Sequence, residues 1–185
     1  MKKTDKVRWT ELLDKTRRIC LIAILAVLSA SFSLLERPLL EALPLPLPGF
    51  KLGLANICVL FCLYRMSKFD CMLVLALRIA LTALLFGSPI SFTLSITGGL
   101  FALCGAFLSY QNKRLTPVGV SVISSALHMV GQIFAASIIL KTPELFTSYL
   151  PWLLILSVPT GILNGAIASI LIHRIPTNKH TKEKT

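Results

Sequence analysis

Acidic residues are scarce in this chain. Its 185 residues include eight Asp and Glu against 19 Lys and Arg, which gives a formal net charge of +11 at pH 7. All eight acids fall in tails, in loops or at the ends of apolar runs: Asp5, Glu11, Asp14, Glu36, Glu41, Asp70, Glu144 and Glu183. This distribution predicts no buried carboxylate, and it argues against a transporter that carries its own coupling proton or sodium ion.

Motifs for nucleotide and diphosphate chemistry are also missing. The sequence has no G-x-x-x-x-G-K-S/T phosphate-binding loop and no D-D-x-x-D-like cluster to hold Mg²⁺ and a diphosphate. The five cysteines, an odd number, do not combine with His residues at zinc-binding spacing. We therefore expect no metal, no cofactor and no catalytic activity in this chain itself.

Apolar residues are the largest class in this sequence. They make up 55% of the chain, and the mean hydropathy is +0.77. Repeated apolar runs are typical of membrane spans, because an α-helix needs about 20 residues to cross the bilayer core. We identify six runs: Ile19–Leu35, Leu52–Tyr64, Phe69–Phe86, Phe92–Leu108, Val118–Leu140 and Leu150–His173. They predict an all-α integral membrane protein, a bundle of six transmembrane helices.

The basic residues are distributed unevenly around these runs. Fifteen of the 19 lie before the first run, in every second connection, or after the sixth run. Three lie in the other connections, namely Arg37, Lys51 and Lys141, and Arg78 lies within a run. This is the positive-inside pattern, which predicts a multi-pass protein of the cytoplasmic membrane with both termini in the cytoplasm. The positive charge therefore indicates orientation toward a lipid bilayer, and we expect no nucleic-acid partner.

The predicted organisation is a basic tail, a membrane domain and a second basic tail: 1–18, 19–174 and 175–185. The longest outer connection, 36–51, contains the sequence L-P-L-P-L-P-G. Proline at every second position blocks a helix and favours an extended path. Two interpretations of this loop remain open: a connector at the level of the lipid headgroups, or a lid over a cavity.

Arg78 lies about halfway along the third run. A cation at the bilayer centre costs roughly 3 kcal/mol on insertion scales, so such a residue is usually paired or used. Since the sequence offers no acid at similar depth, we expect a dipole, water or a bound molecule to satisfy the charge. Our hypothesis is an anionic ligand.

Other polar residues occur at helical spacing in the later runs. Ser121, Ser125, His128 and Gln132 share one stripe of the fifth run, and Asn164 lies near the middle of the sixth. They form either a shared pocket or hydrogen bonds that join helices, at about 0.6 kcal/mol per bond. With two residues at the outer end of the second run, the predicted binding residues are Lys51, Asn56, Arg78, His128, Gln132 and Asn164.

Small residues four apart predict close helix packing. In the first run these are Ala26 and Ala30. Because this run comes first in the bundle, its small face can meet another protein as readily as its own neighbours.

Four sequence blocks resemble the signature of the Gx transporter family, also labelled heptaprenyl diphosphate synthase component I. They are P-G-F-K-L-G-L-A-N at 48–56, L-R-I-A-L-T-A-L-L-F-G at 77–87, S-I-T-G-G-L at 95–100 and V-S-V-I-S-S-A-L-H-M-V-G-Q at 120–132. The family is similar to the substrate-binding S-components of energy-coupling-factor (ECF) transporters. The resemblance implies a six-helix membrane protein that captures a vitamin-like solute from outside.

The resemblance also implies partners. S-components dock on a transmembrane coupling subunit that carries two ATPase subunits, and an A-x-x-x-A face on their first helix makes the contact; Ala26 and Ala30 match it. The expected function is capture of an anionic organic solute, such as an isoprenoid or quinone precursor or another vitamin-like molecule. The alternative is a non-catalytic membrane accessory subunit of heptaprenyl diphosphate synthase.

Overall fold

The structure, a computed structural model, describes residues 3–41, 53–86 and 88–175, and within these ranges all regular structure is helical. The helices are α1 (Lys3–Glu41), α2 (Ala55–Arg65), α3 (Lys68–Phe86), α4 (Pro89–Tyr110), α5 (Pro117–Leu140), α6 (Glu144–Ser148) and α7 (Leu150–Arg174). The predicted all-α class is therefore confirmed for the described part of the chain. Five of the six predicted runs lie within helices, the described part of the second run falls on α2 from Ala55 onward, and the short α6 is an addition.

Four of these helices are long and apolar enough to cross a membrane: residues 15–36 of α1, together with α4, α5 and α7. The third predicted span, α3, has 19 residues and carries Lys68, Asp70 and Arg78. The second, α2, has only 11 residues, about half the length that a bilayer requires. A multi-pass membrane protein is thus supported by four helices.

The end of α1 differs from the prediction. We expected a loop from residue 36, but α1 continues through Pro38 to Glu41. Within this last part of α1 the Glu36 side chain, only 3% exposed, lies on the buried face and accepts a hydrogen bond from the Leu54 amide. The remainder of the predicted loop, with its alternating prolines, lies outside the described residues.

One end of the bundle, which we call the basic end, is held together by Arg18 and Arg65. The Arg18 guanidinium donates to both carboxylate oxygens of Asp70, with a shortest distance of 2.7 Å, and so joins α1 to the start of α3. Arg65 donates to the main-chain carbonyls of Ile172 and Ile175 at the end of α7. These contacts bring the α2–α3 connection, the N-terminal half of α1 and the C-terminus of α7 together.

Helix α7 packs against α5 at backbone distance through two glycines. A Cβ atom on Gly161 would lie 2.7 Å from the Val122 Cα, and one on Gly165 would lie 2.6 Å from the Val118 Cα. Without side chains at these positions the helices approach closely, as predicted for small residues four apart. The α5–α7 pair forms one wall of the bundle.

Gly165→Ala is expected to lower the free energy of unfolding of the detergent-solubilised protein by about 1–3 kcal/mol, because the new methyl group overlaps the backbone of α5. Gly119→Ala is the matched control, since its Cβ would meet the Leu115 side chain at 3.2 Å, and that side chain can rotate away. Unfolding can be followed by tryptophan fluorescence during heating. Equal losses in the two variants would show that α5 and α7 are not packed at this distance.

Candidate functional site

A cavity opens at the end of the bundle opposite to the basic end. It lies where α1 and α3 end and where α2 and α4 begin, and α5 and α7 contribute residues from further inside. The cavity holds about 60 Å³, and the whole cleft with its open mouth about 830 Å³. Most of the residues that line it are polar: Ser33, Glu36, Asn56, Arg78, Thr82, Ser91, Ser95, Ser125, His128 and Thr160.

Two opposite charges line this cavity. Glu36 is 3% exposed and Arg78 is 7% exposed, and the two side chains interact electrostatically. Glu36 also accepts the hydrogen bond from the Leu54 amide at the start of α2, where the helix dipole favours a negative charge. Removing two charges from water is costly, and their attraction compensates for this only when both are close and hydrogen-bonded. Glu36 thus places a negative charge in the same cavity that Arg78 lines.

The prediction that the chain has no buried carboxylate is therefore wrong, and one such carboxylate, Glu36, lines the same cavity as Arg78. We ended the first apolar run at Leu35, which assigned Glu36 to an aqueous loop. Glu36 follows Ser29 by two helical turns, and Ser29 follows Ala26 by three residues, so all three share the buried face of α1. This spacing is the signal that identifies Glu36 in the sequence. The argument against ion coupling that depended on a missing buried carboxylate no longer holds.

Asn56 lines the cavity and is fixed by the helices behind it. Its Nδ2 donates to the Ser124 hydroxyl at 3.2 Å, and that hydroxyl donates to the Ala102 carbonyl at 2.9 Å. The short chain of hydrogen bonds connects α2, α5 and α4. It holds the Asn56 amide in one orientation at the cavity wall.

The other predicted binding residues occupy different depths. His128 lines the cavity, whereas Gln132 and Asn164 do not and are buried behind its wall. Gln132 and His128 both pack against Gly98. A Cβ atom on Gly98 would lie 2.7 Å from the Gln132 Cγ. Asn164 is fully buried, near Gly53 at the start of α2.

Three of the six predicted residues therefore meet at the cavity: Asn56, Arg78 and His128. Lys51 lies outside the described residues. A role in ligand binding for any of the six stays a prediction.

Helix α4 contributes two serines that the sequence analysis missed. Ser91 and Ser95 lie one turn apart on the cavity wall, and α4 begins just before them at Pro89. Ser88 caps the helix by accepting a hydrogen bond from the Ser91 amide at 3.2 Å. We had begun this span at Phe92, which excluded Ser91. The spacing of Ser88, Ser91 and Ser95, at three and four residues, is the sequence signal for this face.

The small residues of α1 lie inside the bundle. Ala26 is 1% exposed and Ala30 is 4% exposed, and between them Ser29 donates to the Ala55 carbonyl at the start of α2. The face that α1 leaves exposed is formed by other residues, including Ile24 and Val27, each 55% exposed. A partner that docks on α1 in this conformation therefore contacts that face rather than the two alanines.

The groups that line the cavity can bind a small molecule through charge and through hydrogen bonds. Its lining combines one carboxylate, one guanidinium, one imidazole, one amide and several hydroxyls with apolar residues such as Ile79 and Phe92. Among the described residues, no group of three or more His, Cys, Asp or Glu is placed to hold a metal ion. A concave site in which polar groups converge beside apolar side chains is a usual form of a small-molecule site.

A double-mutant cycle tests the pair. Glu36→Gln and Arg78→Gln are each expected to lower the free energy of unfolding, because each removes one of two buried opposite charges that attract each other. The double variant should lose clearly less than the sum. Glu144→Gln is the control, since Glu144 is exposed and lies on α6. Its effect should simply add to that of Arg78→Gln. Additive losses for Glu36 and Arg78 would rule out their pairing.

Comparison of the sequence with known proteins identifies one family. No curated protein and no solved structure matches the chain. The family model described as heptaprenyl diphosphate synthase component I matches residues 20–171, which extend from α1 into α7 and include every described residue that lines the cavity. The chain therefore belongs to the heptaprenyl diphosphate synthase component I family.

Proposed function

We propose that this protein is the membrane substrate-binding component of an ECF-type uptake transporter, which captures a small polar organic solute in the cavity at the ends of α1 and α3. The observation that carries the proposal is a buried pair of opposite charges inside an open cavity. A pair that only holds helices together gains little over well-packed apolar residues. The same pair facing a cavity supplies specific contacts to a bound molecule.

The position of the cavity suits uptake. The connections at the basic end carry Arg65, Lys68, Lys113 and Arg114, and the positive-inside rule assigns that end to the cytoplasm. With both termini in the cytoplasm and six membrane segments, the opposite end, and with it the cavity, faces outside. The short α2 then enters only part of the bilayer, and its first residues form the cavity floor.

The net charge of the solute needs revision. We expected an anion because the sequence offered no acidic residue near Arg78. Glu36 lines the same cavity and supplies a negative charge there. The proposal therefore specifies a polar organic solute, and an isoprenoid or quinone precursor or another vitamin-like molecule remains within it.

Blocking the cavity tests the proposal. Ala83 lines the cavity and Ala80 is exposed on the same helix, so Ala83→Trp and Ala80→Trp form a matched pair. Small molecules released from gently purified protein can be identified and quantified by mass spectrometry. We expect the Ala83 variant to lose the molecule carried by the wild type and the Ala80 variant to keep it. Equal retention in both variants would place the binding site elsewhere, and a wild type that releases nothing would contradict solute capture.

The proposed partners are a transmembrane coupling subunit and two ATPase subunits. Trp at Ala26 or Ala30 would disturb the bundle itself, because both alanines are buried. Ala23 is exposed on α1 and offers a better position for testing docking. We expect affinity purification in mild detergent to recover the coupling subunit and both ATPases with the wild type, and Ala23→Trp to reduce their recovery severalfold. Ala80→Trp on α3 serves as the control, and an equal reduction there would exclude α1 as the docking helix.

The second candidate is a non-catalytic accessory subunit of heptaprenyl diphosphate synthase, which the name of the family favours. It requires a separate catalytic component, which supplies the acidic residues for diphosphate chemistry. The same purification separates the two candidates. A synthase component recovered without ATPases, whose activity changes when this chain is added, would establish the accessory role instead.

A further inference from the structure

We propose that Ser124 orients the side chain of Asn56 so that the Asn56 Oδ1 faces the cavity as a hydrogen-bond acceptor. The solute therefore carries a hydroxyl or an N–H group that donates to this oxygen. The inference rests on the proposed function and deepens it. It gives one chemical requirement of the solute and identifies a positioning residue that lies outside the cavity lining.

The Ser124 hydroxyl has a single proton, and its bond to α4 uses that proton. Ser124 is buried behind the cavity wall, and its Oγ donates to the Ala102 carbonyl at 2.9 Å. A carbonyl oxygen can only accept, so the direction of this hydrogen bond is fixed. The Ser124 oxygen is then left as an acceptor, and it requires a donor from its other neighbour.

That neighbour is Asn56, whose Nδ2 lies 3.2 Å from the Ser124 Oγ. The two ends of an amide side chain have nearly the same shape, and the hydrogen-bond network is what distinguishes them. With Oδ1 in place of Nδ2, two acceptor oxygens would face each other, because the proton of Ser124 is already used. The bond from Ser124 to Ala102 therefore selects the orientation in which Nδ2 points toward Ser124.

The Asn56 Oδ1 is the other end of the same amide. Asn56 lines the cavity although its side chain is 93% buried, since only 7% of the residue is exposed. Within the part of the chain that the structure describes, no group donates to this oxygen, and it is not one of the fully enclosed polar atoms. A site built to hydrogen-bond a hydroxyl or N–H group of its ligand rejects an analogue that lacks the group, because the buried acceptor is then left unsatisfied.

A mutant cycle tests the role of Ser124. The probe is the molecule released from the wild type, isolated and added back to stripped protein that size-exclusion chromatography shows to be folded. Ser124→Ala should weaken binding at least about tenfold, because the Asn56 amide can then turn over. Ser109→Ala should not, since that buried hydroxyl bonds to the Gly105 carbonyl of its own helix.

The same substitution in an Asn56→Leu background separates positioning from a structural effect. Ser124→Ala should have no further effect there, because Ser124 acts on binding only through Asn56. A tenfold loss that persists in this background would overturn the inference. Unchanged binding by the Ser124 variant, or equal losses in the Ser124 and Ser109 variants, would also overturn it.

A second measurement changes the molecule instead of the protein. A derivative of the released molecule, methylated at its O–H and N–H groups, should bind the wild type at least about tenfold more weakly than the parent molecule. Equal binding of the two, or a released molecule without any O–H or N–H group, would overturn the inference and leave the proposed function intact. A wild type that releases no molecule would overturn the proposed function, and the inference with it.

Discussion

The cost of placing charge inside an apolar bundle governs this structure. Arg78 lies in an apolar helix, and α1 extends far enough to bring Glu36 to the same cavity. The amide at the start of α2 donates to the Glu36 carboxylate. The end of α1, the start of α2 and the middle of α3 therefore place two opposite charges in one cavity, which α4, α5 and α7 complete.

The interior separates into parts with different chemistry. At the basic end charged side chains join the helices, as in the Arg18–Asp70 pair, where three hydrogen bonds connect two side chains. The α5–α7 wall depends on glycines and on backbone proximity. Polar side chains that face open space gather at the opposite end. A closely packed base and wall with an open polar end is the arrangement that the proposed capture of a solute requires.

Much of the fold follows from hydropathy, because the interior of a bilayer requires long apolar helices and leaves few alternatives. Helical spacing also identified Arg78 and His128, since polar residues in such helices face the interior. Helical spacing could not show whether Gln132 and Asn164 line the cavity. An inward-facing residue can meet either a cavity or a neighbouring helix, and only the packing of the helices distinguishes the two. Glu36 and Ser91 were missed because hydropathy ended the first span too early and began the fourth too late. Charged and hydroxyl groups at the ends of helices lower the local hydropathy and conceal the helical turn that carries them.

The pairing of α1 with α3 has a consequence for biogenesis. Glu36 and Arg78 lie on separate helices, with all of α2 between them in the chain. Arg78 cannot enter lipid cheaply while it is alone, and Glu36 meets the same barrier. We therefore expect α3 to insert at lower cost once α1 is in place, because Glu36 offsets part of the charge of Arg78. The helix that lies between them, α2, has only 11 residues, and α1 and α3 pack against each other directly.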